Sequence, residues 1–224
     1  MSQLLIIFAK QPMPGCVKTR LGAVIGMSQA AKLYAAFCED LFSRLQDHPW
    51  NRVITFAPAD DATEAFFRNW TGAHEVLWRQ PAGHLGDRLT DCFSQGFDEA
   101  SRVVIIGSDA PTLPAEFISQ AFTALEHVDC VLGPTMDGGY YLVGLRRPLP
   151  ELFTEIDWST STVLQQTIDR LAAVEGSLHL LPPWYDVDEA RDLDLLRGHL
   201  RAMELAEQQC PAPRTLQWLT SHES

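Results

Sequence analysis

The sequence predicts an α/β fold in which helices cover a mostly parallel sheet. Three observations lead there. Leu4–Ala9 and Val103–Ile106 are short, continuous apolar runs, the pattern of strands buried on both faces. Around them, strand-like runs alternate with segments whose apolar residues recur at helical spacing, the order of parallel α/β proteins. Acidic and basic residues then stand just past the ends of these runs, the edge at which open α/β sheets bind ligands.

The 224 residues suit one domain, and no linker-like stretch divides them. Residues 1–224 are therefore read as a single domain with a C-terminal tail from about residue 210. With 46% hydrophobic and 21% charged residues, the chain can bury a sizeable core. A formal charge of -12 argues against nonspecific binding of nucleic acid or an anionic membrane. It also means that a phosphate ligand needs local cations or a metal. Cys16, Cys38, Cys92, Cys130 and Cys210 are scattered, without a C-x-x-C pair, which predicts reduced thiols in a cytoplasmic protein. No signal peptide and no membrane span are expected.

The first strand, Leu4–Ala9, empties into a loop containing Pro12, Pro14 and Gly15, which oppose regular structure. Lys10, Lys18 and Arg20 cluster there in an otherwise acidic chain. A loop in this place either cradles phosphate or is a surface turn with solvated cations. The spacing is neither that of a P-loop nor that of a dinucleotide fingerprint. Ser28 is expected to cap a helix over 29–46 that buries Ala30, Leu33, Phe37, Leu41 and Leu45, with no chemistry implied. Val53–Ala57 reads as a strand, and Asp60 and Asp61 suit the N-terminus of a helix over 62–70. Glu75–Trp78 is a short strand. After it, the glycines before Arg88 leave room for a flat ligand. Gln80, Asp87 and Arg88 could read a base or sugar, although Asp87 equally suits a first helical turn. His84 reads as an ordinary loop histidine. The helix that follows buries Leu89, Cys92 or Phe93, and Phe97.

Val103–Ile106 ends in Gly107-Ser108-Asp109-Ala110-Pro111. The working reading is that Asp109 holds a divalent metal against a phosphate; the alternative is that it bonds the turn backbone. Pro114 can open a helix over 115–126. Cys130–Pro134 is a strand, followed by Asp137-Gly138-Gly139, a hairpin turn that also offers bare backbone to a ligand. Asp157–Thr162 precedes a helix that buries Val163, Leu164, Ile168 and Leu171. Its hydroxyls either cap that helix or bind an acceptor. Leu178–Leu181 is the last strand. Asp186 and Asp188 are two residues apart, so in an extended segment they point the same way. Asp188 is also expected to cap a helix over 189–208. In the tail, Leu216, Trp218 and Leu219 are expected to dock on the body or on a partner chain, as in a homodimer.

Several stretches, taken in order, resemble a bacterial family of uncharacterised glycosyltransferase-like proteins in the nucleotide-diphospho-sugar transferase superfamily. They are Phe8-Ala9-Lys10, Pro14-Gly15, Lys18-Thr19-Arg20-Leu21, Leu85-Gly86-Asp87-Arg88, Gly107 to Pro111, Asp137 to Tyr141, and Asp186-Val187-Asp188 with Asp192-Leu193. The Lys-Thr-Arg-Leu loop also resembles phospholactate guanylyltransferases and, more loosely, molybdenum-cofactor guanylyltransferases. The resemblance implies a GT-A-type, Rossmann-like three-layer sandwich with a central mixed sheet. It implies a metal-dependent transferase, with a nucleotide or nucleotide-sugar donor and a small-molecule acceptor. Lys18 and Arg20 would contact phosphates. Asp109 and Asp188 would hold Mg²⁺ or Mn²⁺, with Asp186 the alternative second ligand. If the sugar carbon is the atom attacked, a base is needed, and Asp137 is the candidate. Ala9, Lys10, Gly15, Gly86, Asp87, Arg88, Ser108, Gly138, Gly139, Ser159 and Thr160 are the expected substrate contacts.

Two departures keep the reaction open. The G-x-G-x-R loop of many nucleotidyltransferases is reduced to Pro14-Gly15. The D-x-D of many glycosyltransferases is a single acid, Asp109, followed by Ala110. Glycosyl transfer, nucleotidyl transfer onto a phosphorylated small molecule, and binding without turnover are the readings carried forward.

Overall fold

The structure, a computed structural model, describes residues 2–222. Seven strands form one sheet in the order β3-β2-β1-β4-β6-β5-β7. They are β1 (Gln3–Lys10), β2 (Asn51–Ala57), β3 (Val76–Arg79), β4 (Arg102–Ile106), β5 (Cys130–Pro134), β6 (Tyr140–Leu145) and β7 (Leu178–Leu180). All pairings are parallel except those of β6, which runs antiparallel to β4 and to β5. The chain winds outward from β1 through β2 to β3 and then returns to the other side of β1 as β4. The β1/β4 boundary is thus a topological switch point, where the crevice of an open α/β sheet lies.

The apolar runs explain why β1 and β4 are central. All five residues of β4 are buried, as are Leu4 to Ile7 and Ala9 of β1. Alternation divides them between two cores. Leu5, Ile7, Ala9, Val104 and Ile106 face one side, and Leu4, Ile6, Val103 and Ile105 the other. The first side is covered by α1 (Thr19–Ile25), α2 (Met27–Arg44), α3 (Asp61–Thr71), α5 (Ala115–Ala124), α7 (Ala190–Leu205) and α8 (Pro213–Ser221). The second is covered by α4 (Leu85–Glu99), a 3₁₀ turn (Pro150–Phe153) and α6 (Val163–Ala173). This is the expected three-layer arrangement.

One helix is added and local expectations fail at three helix starts. Helix α1 is an addition within the stretch read as a loop, and Gly26, at φ 92°, separates it from α2. Ser28 therefore lies inside the first turn of α2 instead of capping it. Glu189, not Asp188, is the N-cap of α7, and Asp192 accepts from the backbone N–H groups of both Asp188 and Glu189 (3.0 and 2.8 Å). Thr162 occupies the N-cap position of α6 without a side-chain bond to the helix. Asp60, by contrast, caps α3 through the Thr63 N–H (2.7 Å).

The tail docks on the body. It forms α8, whose first-turn N–H groups at Arg214 and Thr215 donate to the buried Asp40 carboxylate of α2 (3.0 and 2.8 Å). A carboxylate at a helix N-terminus satisfies donors that the helix leaves unpaired and complements its dipole. Trp218 packs against the first core and stacks on His222. Among the described residues, no helix is long and apolar enough to cross a membrane.

Candidate functional site

The carboxyl ends of β1, β4 and β5 and the start of β6 share one sheet edge, and the loops there enclose a cleft of about 680 Å³. From the part of the chain before β4, Ala9, Lys10, Lys18, Arg20 and Arg88 line it. From the part after β4 come Ser108, Asp109, Asp137, Gly139, Ser159, Thr160, Asp186 and Asp188. Residues far apart in sequence thus meet in one place, and the division is chemical. The cations precede β4 in the chain and the acids follow it.

The centre of the cleft is Lys18. It begins α1 in the left-handed conformation, at φ 47° and ψ 44°, a backbone state that is costly for a non-glycine residue. That turn aims its ammonium inward, where only 2% of the side chain is exposed. There Nζ pairs with Oδ1 of Asp109 and donates to Oδ1 of Asp188 (2.8 Å). The two carboxylates remain 46% and 45% exposed, open to the cleft. Burial works against the Lys18 charge, but Asp109 and then Asp188 outweigh it and hold its pKa above the ordinary lysine value. Burial likewise opposes ionisation of Asp188, and Lys18 overcomes it, holding that carboxyl below its usual range. Lys18 thus bridges two acids from distant loops.

The segment bearing Asp188 reads as the two-residue period requires. Val187 is fully buried between Asp186 and Asp188, both of which line the cleft, and its N–H bonds the Asp109 carbonyl (3.0 Å). Burial, and then the charges of Asp109 and Asp188, push the Asp186 carboxyl up to about 8 against the pull of Lys18. Arg20 lies outside this cluster, exposed at the rim and 3.6 Å from Glu189.

Tyr34 of α2, which the helical pattern alone does not single out, also lines the cleft. Its hydroxyl bonds Ser108 Oγ (2.6 Å) and accepts from the Lys10 N–H (3.0 Å), fixing the gap between the ends of β1 and β4. Gln80 is buried, donates to Ala9 O and Thr55 O (both 3.3 Å), and accepts from Arg88 Nη1 (3.5 Å), so it orients Arg88 in the cleft. Trp158 and Tyr140, also missed, form an aromatic wall beside Ser159 and Thr160. A polar-tipped Tyr within the apolar stripe of α2 was the only available signal for Tyr34; the others carry no local mark.

Four expected contacts do not line the cleft. Asp87 is spent as a helix cap, accepting from the N–H of His84, the N-cap of α4 (2.9 Å). Gly86 is a packing position, because a Cβ there would stand 2.4 Å from the Phe153 carbonyl. Gly138, at φ +92°, presses on the Ser161 carbonyl, 2.2 Å from an added Cβ, and its own carbonyl accepts from the Leu164 N–H (2.9 Å). The Asp-Gly-Gly turn therefore anchors the Ser/Thr segment. Gly15 sits in an exposed turn at φ +78°. Asp137 does face the cleft, with Oδ1 held by Thr135 Oγ1 (2.5 Å) and the Gly139 N–H (3.1 Å).

Residues 40–160 match a family described as an uncharacterised protein conserved in bacteria (DUF2064). A crystal structure from Desulfovibrio desulfuricans G20, described as a "putative nucleotide-diphospho-sugar transferase", is 33% identical, with a TM-score of 0.90 over 99% of this chain and 95% of that one. Two more distant structures share the fold alone. One is CMP:2-keto-3-deoxy-manno-octonic acid synthetase complexed with CTP (12% identity, TM-score 0.57, 91% of this chain and 100% of that one). The other is the inositol-1-phosphate CTP transferase from T. maritima (11%, 0.52, 86% and 91%). The sheet is built like those of nucleotidyltransferases and GT-A-type transferases. No curated protein matches the chain.

Proposed function

The chain belongs to the DUF2064 family of bacterial proteins, and on that premise we propose that it is a metal-dependent transferase acting on a nucleotide-activated donor, with glycosyl transfer from a nucleotide sugar as the leading reaction. One observation carries this reading. At the switch point of the sheet, a cationic loop after β1 meets Asp109 and Asp188 in a cleft large enough for a nucleotide. The relative at 33% identity, whose description is a nucleotide-diphospho-sugar transferase, points the same way.

Two half-exposed carboxylates suit Mg²⁺ or Mn²⁺, which takes one or two protein carboxylates and fills its remaining positions with phosphate oxygens and water. When bound, such an ion neutralises phosphate charge and favours departure of the leaving group. The chain's own residues divide the remaining work. Lys10, Arg20 and Arg88 supply the positive charge that a diphosphate needs in an acidic protein. Asp137, oriented by Thr135 and Gly139, is placed to accept the proton of an acceptor hydroxyl. Ser159 and Thr160, beside Trp158, face the acceptor.

Nucleotidyl transfer is the second reading, favoured by the three cations at the donor end of the cleft. Product analysis separates the two. Nucleotide sugars, and separately NTPs, are incubated with Mn²⁺ and a mixture of small-molecule alcohols and phosphate monoesters as acceptors; a nucleotide sugar should release nucleoside diphosphate, no NTP should release pyrophosphate, and Asp188→Ala should abolish the release. Pyrophosphate as the product selects the second reading. Binding with no product, by wild type over hours, refutes both.

A further inference from the structure

The cation between Asp109 and Asp188 is a lysine of the chain itself. We propose that Lys18 competes for these carboxylates, so that the site accepts a divalent metal only as its complex with a di- or polyphosphate and rejects the free ion. This rests on the metal reading above and adds to it the form in which the metal is admitted.

Three observations bear on it. Lys18 Nζ takes Oδ1 of both acids, and its side chain is 2% exposed. A second cation in that place must displace the ammonium or meet its repulsion. The ammonium also has nowhere neutral to go. Its surroundings beyond the two acids include the rings of Tyr34 and Phe37, each 5.8 Å from Nζ, and Lys18 itself is buried. A buried charge stripped of its partner is strongly unfavourable. Finally, among the described residues no group of three or more His, Cys, Asp or Glu side chains is placed to hold a metal by itself. A free ion would have to recruit two carboxylates that are already paired.

A metal–phosphate complex removes each obstacle. Its anionic oxygens offer the Lys18 ammonium a new partner as the carboxylates are released, and they fill metal positions that the protein leaves empty. Exchange of partners, with no net loss of ion pairing, makes the combined ligand acceptable where the bare ion is not. The left-handed backbone at Lys18 fixes where the side chain starts, and its four-carbon stem has several rotatable bonds through which the ammonium can change partner.

The test uses the full chain and two probes, Mn²⁺ alone and Mn²⁺ with inorganic pyrophosphate. Free Mn²⁺ is followed by electron paramagnetic resonance, and the ternary complex by water proton relaxation. Wild type is compared with Lys18→Met and with Lys18→Gln, the latter keeping a hydrogen-bond donor should the former fold poorly. Mn²⁺ alone should bind the variants on the order of tenfold more tightly than wild type. With pyrophosphate the order should reverse, because the variants lack the cation that receives the phosphate. A lysine with a merely structural role would give weaker metal binding in the variants in both arms. If wild type binds free Mn²⁺ as tightly as the variants, the proposal is overturned while the metal reading stands. If no protein binds Mn²⁺ in either arm, the metal reading falls and this inference with it.

Discussion

Arg44 offers the sharpest stability test, because one side chain joins three distant segments. Its Nη1 donates to the carbonyls of Pro111 (2.7 Å) and Pro211 (2.6 Å), and its Nη2 to that of Leu113 (2.9 Å). Pro111 and Leu113 belong to the turn that follows Asp109, and Pro211 leads into α8, so Arg44 fastens both that turn and the tail to α2. Burial pulls its pKa down to about 10, so it stays charged at neutral pH. Hydrogen bonds from a charged donor contribute about 1.5–3 kcal/mol each, and the cost of burying the guanidinium offsets part of that sum. Arg44→Met keeps much of the stem's packing and removes all three bonds, for an expected loss of about 3 kcal/mol. That is a large share of the roughly 5–15 kcal/mol available to a folded domain. Urea unfolding should show a lower midpoint, and limited proteolysis should cut earlier between α7 and α8. A loss below about 1 kcal/mol, with unchanged proteolysis, would refute the claim that Arg44 fastens these segments.

Three further outcomes follow from the same geometry. Gly138→Ala should destabilise by at least about 2 kcal/mol, since the new Cβ is strained at φ +92° and collides with the Ser161 carbonyl. It should also weaken acceptor use more than nucleotide binding, measurable as separate affinities. Asp129 is held well below the usual carboxylate range by Arg147, and further by Ser177 and Arg146, against the cost of burial. A depressed folded-state pKa stabilises above the unfolded value, and that contribution is lost as pH falls below about 4. The stability gap between wild type and Asp129→Asn, read as urea midpoints, should therefore be larger at pH 7 than at pH 3; an equal gap contradicts the assignment. Cys16 is exposed and lines the cleft, whereas Cys38, Cys92 and Cys130 are buried and their thiols are each pushed up to about 12. Native alkylation should mark Cys16 while sparing those three, and a bound nucleotide with Mn²⁺ should slow that reaction.

What could be read from sequence is what local pattern determines. β1 and β4 announce themselves because strands buried on both faces need unbroken apolar runs. Asp109 stands out because a carboxylate directly after such a strand has few places to go. Asp186 and Asp188 are legible through the two-residue period, which the burial of Val187 between them satisfies. The rest depends on partners that sequence does not bring together. Lys18 meets Asp188 across 170 residues, so its burial between two acids carries no local sign. Gly86 and Gly138 look like ligand-facing glycines, and only the positions of Phe153 and Ser161 show that each makes room for protein backbone. α8 was hidden because its polar sequence supplies few of its own caps; the acceptor for its first turn is Asp40, 174 residues before Arg214. Ser28 and Asp188 were plausible caps by residue type, but Gly26 and Glu189 hold those positions.

The central claim is that nucleotide binding in the cleft depends on the acids at its centre. Its most direct test is the melting-point shift produced by a panel of nucleotide sugars and NTPs with Mn²⁺, for wild type and for Asp109→Ala. At least one nucleotide should raise the wild-type melting point only when Mn²⁺ is present, and Asp109→Ala should lose this shift while remaining folded. An equal, metal-dependent shift in the variant would contradict it.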